Sequence, residues 1–160
     1  MPFYYRSNRA ATTNGTGNTC TSHVRLVTVA NQQNCFVVGL YAAVRNSTTA
    51  GSGILRVGRQ TTVTTAGGTS LTPAPSNPLN RAADTTAFTD ATAFNSAVGT
   101  AYSLDIGFAQ TGGQGGWVAL ERDHALILNP NAGANGNITL DSFTATASQL
   151  LEVTAEHGEG

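Results

Sequence analysis

The sequence predicts an all-β protein, an antiparallel sandwich of two sheets, and three observations lead there. Between Thr111 and Val153 the chain is a series of short apolar runs, residues 117–120, 125–128, 138–143 and 150–153, separated by clusters of Gly, Asn and Pro. Packed strands joined by tight turns have this punctuation. No stretch carries the 3.6-residue apolar period of a convincing amphipathic helix. Finally, only 11% of the 160 residues are charged, against ~25% in an average domain. Thr, Ala, Gly and Asn fill the gap; Thr favours strands, Gly and Asn favour turns.

Taken in order, residues 1–20 read as an extended N-terminal arm and residues 21–160 as the sandwich domain. Phe3, Tyr4, Tyr5, Arg6 and Arg9 head the arm, and residues 10–18 form a tether of Thr, Asn, Gly and Ala without periodicity. Such a tether does not order by itself. Aromatics and Arg together have the composition of interface anchors, so the five residues are expected to dock on a neighbouring subunit. Residues 24–29 are the first strand of the domain, and residues 35–45 the second, apolar on both faces and therefore central. Residues 54–63 alternate, with Leu55, Val57 and Val63 on one face and Arg56 on the other.

Pro73, Pro75 and Pro78 mark a long extended connection between sheets or along an edge, because proline cannot donate to a ladder. Residues 85–94 are weakly patterned. Residues 101–108 form a strand with Tyr102, Leu104 and Ile106 on one face. Residues 117–120 and 125–128 are expected to pair as a hairpin through the turn at residues 121–124. Asn135-Gly136 suits a second hairpin turn, since both central residues tolerate positive φ. Ile138 and Leu140 have one parity and Phe143 the other, which a bulge near Asp141-Ser142 reconciles. Leu151 and Val153 close the sheet, and residues 155–160 read as a polar tail. About eight strands result, the number used by a two-sheet jelly roll.

The formal net charge of −1 favours neither nucleic acid nor an anionic membrane as a partner. The longest apolar run, residues 35–44, is too short to span a bilayer. The first residues do not read as a secretory leader. All eight basic residues are Arg, the cation that interfaces favour over Lys; codon usage accounts for the same bias. Cys20 and Cys35 are open to two readings, a disulfide or two reduced thiols.

No catalytic set, metal cage or cofactor motif is expected. The run Gly112-Gly-Gln-Gly-Gly116 leads into a strand rather than a helix and lacks Lys, unlike a phosphate loop. It reads as a turn that lets the backbone approach a partner closely. Asp123 and His124 are adjacent and do not orient one another as a triad would. Tyr41, Tyr102 and Trp117 could stack on sugars but read better as core or subunit-seam residues.

Residues 37–44, 68–73, 116–120, 125–130 and 151–154 follow a rhythm. In it the chain resembles small jelly-roll virion proteins of tailed bacteriophages, including capsid decoration or cement proteins, over roughly residues 35–155. The resemblance implies a non-enzymatic structural protein, often a homotrimer, seated on the major capsid protein at the capsid exterior after assembly in the host cytoplasm. The resemblance does not fix the arm; its aromatic and Arg composition makes Phe3, Tyr4, Tyr5, Arg6 and Arg9 the expected capsid contacts, with Trp117 a candidate for the trimer seam. The rival expectation is a tail-associated or receptor-binding jelly roll that contacts host glycans.

Overall fold

The computed structural model describes residues 3–13, 21–28, 34–45, 52–59, 69–89, 102–109, 113–129, 137–144 and 150–160. Among them are twelve strands and no α-helix. The strands are β1 (Phe3–Thr13), β2 (Thr21–Val27), β3 (Cys35–Arg45), β4 (Ser52–Arg59), β5 (Thr69–Leu71) and β6 (Ala74–Pro75). They continue with β7 (Thr86–Thr89), β8 (Tyr102–Ala109), β9 (Gln114–Val118), β10 (Leu126–Leu128), β11 (Ile138–Thr144) and β12 (Leu150–Glu159).

The strands form two antiparallel sheets packed together, as the alternating sequence predicts. Sheet A runs β10-β3-β12-β1-β6, with β9 also on β3; sheet B runs β5-β7-β2-β11-β4-β8. The pairings nest: β1 with β12, β2 with β11, β3 with β9 and β10, and β4 with β8. The chain thus behaves as one long antiparallel ribbon folded across itself, and it changes sheet at each step from β1 to β4. Two side chains in every four turn inward, and Leu40, Ala42 and Val153 from sheet A meet Val24, Leu55 and Leu140 from sheet B in one buried core. The proline-rich connection extends both sheets at the same side. Its β6 pairs with β1 at Tyr5 and Arg6, and β7 pairs with β2 at Arg25 to Val27, so each long strand has part of its outer edge covered.

Several expectations change. Residues 3–13 are not a free arm but a full strand between β12 and β6; residues 14–20, with Cys20, lie outside the described residues. The polar tail is also a strand, since β12 continues to Glu159 opposite Phe3. The β9–β10 hairpin does not form. Both strands lie on the same side of β3, β9 at Gly39–Ala43 and β10 at Cys35–Val37, because the turn between them carries the chain along β3 rather than back on itself. Likewise β10 and β11 belong to different sheets and do not pair as a hairpin; Asn135-Gly136 lie outside the described residues. The register does shift at Leu140/Asp141, but the extra residue is His23 on β2.

The glycine-rich run allows a close approach, and the partner is the protein's own β8. A Cβ built on Gly115 would sit 2.5 Å from the Gly107 carbonyl oxygen and 3.2 Å from Ile106 and Phe108. Backbone thus lies on backbone where sheet A meets the edge of sheet B. Gly115→Val is expected to destabilise the fold by about 2–3 kcal/mol through overpacking. Gly107 has open space at the same position, so Gly107→Val should stay within about 1 kcal/mol, the span of strand propensities. Urea unfolding midpoints of the two variants check the contrast.

Candidate functional site

Among the described residues, exposed apolar side chains gather on the outer face of sheet A. Strand alternation puts Tyr4 of β1, Phe36 of β3 and Ile127 of β10 on this face, and Phe36 pairs with Ile127 on one side and Gly158 on the other. Gly158 in turn pairs with Tyr4, whose ring covers it: a Cβ there would lie 3.1 Å from the Tyr4 ring. The register of β3 against β12 slips between Val37 and Gly39, leaving Val38 as the extra residue. That bulge lets Cys35 and Val37 point inward at one end of β3, and Leu40, Ala42 and Val44 at the other. Val38 is thereby turned to the outer surface, where it lines a cleft of about 250 Å³ with Tyr4, Phe36, Ala119, Leu120, Glu121 and Gly158.

Exposure decides what this surface is. Tyr4 is 45% exposed, Val118 54%, Leu120 90% and Ile127 42%. Single exposed apolar residues are ordinary, whereas a group around a cleft marks an interaction site. Beside it the face turns polar. Arg6 pairs with Glu156, which also accepts a hydrogen bond from the Tyr41 hydroxyl at 3.3 Å. Glu152 accepts from Asn8 Nδ2 at 3.0 Å and from Arg45 Nε at 2.8 Å. These two donors hold the Glu152 carboxyl below its usual range. Burial, and then the negative charge of Glu156, raise the Tyr41 phenol. The ladder is solvent-exposed and contributes little stability; it borders the apolar patch as a polar rim borders an interface core.

The five residues expected to dock together are divided between two faces by the two-residue period of β1. Tyr4 and Arg6 face outward. Tyr5 is fully buried, Arg9 is buried, and half-buried Phe3 lies 5.5 Å beneath the Arg81 guanidinium. Hence no single contact patch can use all five. Trp117 pairs with inward-facing Leu40 and packs partly buried against the core, so its indole faces the interior. Asp123 and His124 are exposed in a short 3-10 turn, as solvated turn residues are expected to be.

A second cluster is assembled from stretches far apart in the sequence. On the inner face, where β1, β3 and β12 meet residues 81–85, lie Tyr5, Cys35, His157 and Glu159, all fully buried. Glu159 accepts the Thr85 amide at 2.7 Å and the Asp84 amide at 3.0 Å. Arg81 reaches Asp84 at 2.7 Å and Glu159 at 3.6 Å, and its carbonyl accepts the Tyr5 hydroxyl at 2.9 Å. The His157 ring stacks on Tyr5 with centroids 5.5 Å apart. A thiol, an imidazole and a carboxylate this close suggest nucleophilic chemistry, but the environment opposes it. Burial pushes the Cys35 thiol up to about 12 and the His157 imidazole down to about 4. A neutral thiol and a neutral imidazole sealed from solvent make this cluster a structural clasp. The parity of Leu151, Val153 and Ala155 already points to His157 and Glu159 as inward residues.

Among the described residues no helix is long and apolar enough to cross a membrane, and no three His, Cys, Asp or Glu side chains group as a metal site. No known protein family, curated protein or solved structure matches this chain.

Proposed function

We propose that this protein is a non-enzymatic structural protein that works by adhesion, specifically a decoration or cement protein on the capsid exterior of a tailed bacteriophage. The observation that carries an adhesive role is the apolar cleft and its exposed surround on the outer face of sheet A, bordered by the Arg6–Glu156 and Arg45–Glu152 ladder. The nested strand order supports a jelly-roll reading, an architecture frequent among viral capsid domains. The choice of the major capsid protein as partner, and of a homotrimer as the working form, rests on the sequence resemblance. A trimer would bridge neighbouring capsid subunits, so that several modest contacts act at one high effective concentration and resist separation of the shell.

The test mixes purified protein with capsids that lack it and images the particles. Regular occupancy of the outer shell is the expected result. Leu120→Asp and Val118→Asp place charge on exposed positions, so each should leave unfolding within about 0.5 kcal/mol of the parent while weakening capsid retention at least tenfold. Full retention by both variants would remove the cleft from the interface. Density confined to the tail would replace the capsid reading by the tail-associated one.

A further inference from the structure

The clasp on the inner face contains one acceptor within reach of two sets of donors. Glu159 Oε1 takes the Thr85 amide at 2.7 Å, and the same oxygen lies 4.0 Å from His157 Nε2. Neither ring nitrogen of His157 has a hydrogen-bond partner, although the side chain is fully buried. Residues 81–85 join β6 of sheet A to β7 of sheet B, and they cross the sandwich at the point where the clasp holds them. Apart from Glu159 the clasp anchors this segment through the Tyr5 hydroxyl and the Arg81 guanidinium over Phe3, while Arg81 and Asp84 pair within the segment itself.

We propose that residues 81–85 are a strap released by acid, with the Glu159 carboxylate as a latch that holds the strap amides while His157 is neutral and turns to the imidazolium when His157 takes a proton. The physical reason is competition in a dry site. An imidazolium buried beside a carboxylate attracts it more strongly than neutral amides do, because it adds the attraction of a full opposite charge in a site of low dielectric. A shift of about an ångström closes the 4.0 Å gap, and it draws Oε1 from the Thr85 amide. The other groups facing the imidazole do not compete for its proton. Tyr5 on β1 stacks on the ring and its hydroxyl is spent on the Arg81 carbonyl. Cys35 on β3 keeps its proton. Asp84 on the strap is held by Arg81, whose positive charge faces Glu159 rather than the ring. Release frees the link between β6, which pairs with β1, and β7, which pairs with β2, so both short edge strands lose the tether they share.

Amide hydrogen exchange across pH on the full chain tests this, corrected for the intrinsic rate. The Asp84 and Thr85 amides are expected to lose protection more than tenfold between pH 6 and pH 3.5, while amides of β3 and β11 keep theirs. In His157→Phe, which keeps a ring on Tyr5 but has no proton to take, the loss should vanish. A histidine-ring NMR titration of the unaltered protein adds a readout that does not depend on the variant folding. Its buried ring should titrate with the same midpoint as strap exchange. Exchange of residues 84 and 85 in step with β3 at every pH would overturn the latch, as would a strap response that survives in His157→Phe or a ring midpoint unrelated to strap exchange.

Discussion

Glu159→Ala is expected to destabilise the protein by on the order of 3–5 kcal/mol, the range for removing one partner from a buried charged network. The carboxylate is fully buried and accepts two backbone amides, of Asp84 and Thr85. Alanine leaves both donors without an acceptor where water does not reach, and each such orphan costs about 1–3 kcal/mol. The Arg81 guanidinium is partly exposed and retains Asp84, so it adds little to the loss. In a domain of this size the melting temperature should fall by about 10 °C or more. Glu159→Gln keeps one oxygen but turns an NH2 toward the second amide, and should cost roughly half as much. Calorimetry on the three proteins checks the order. Equal melting temperatures for the parent and Glu159→Ala would show that the strap is not held by this carboxylate.

Acid should weaken the fold through His157. The folded protein holds this imidazole at about 4, burial being the main cause, against 6.5 for the free side chain. Between those values the unfolded chain binds a proton that the folded chain refuses. Stability is therefore fully present above about pH 6.5, falls as pH drops toward 4, and levels off below. At 1.36 kcal/mol per unit the gap corresponds to roughly 3 kcal/mol. Denaturant midpoints measured from pH 7 to pH 4 should show this slope, and His157→Phe should flatten it. A parent protein whose midpoint is constant across that window would contradict the burial of a neutral imidazole.

Both predictions concern residues that the sequence presents as a solvated end. His and Glu are seldom fully buried without a partner, and the partners here are backbone amides some 75 positions earlier in the chain. The alternation beginning at Leu151 extends through Ala155 to His157 and Glu159, but the polar composition of residues 155–160 reads as a tail, and only the pairing of β12 with β1 and β3 shows the strand continuing. The aromatic start of the chain shows the reverse. Phe3 to Arg9 announce contact by composition, but what they contact is β12 and residues 74–81 of the same molecule. The cleft was hidden because its walls, Tyr4, Phe36, Val38 and Leu120, come from three distant stretches, and a bulge at Val38 is needed to turn one wall outward.

The sequence by itself determined that the chain is all-β, where most strands lie, which faces of β3, β4 and β8 are apolar, and that charge is scarce. Those follow from local chemistry: side chains alternate every two residues, and Gly, Pro and Asn break the ladder. The tertiary structure alone decided which strands pair, that β9 and β10 share one partner, that both ends of the chain meet under residues 81–85, and that apolar side chains gather around one cleft. Pairing depends on contacts between residues far apart in the chain, and no local period encodes which distant strand will supply the other half of a ladder.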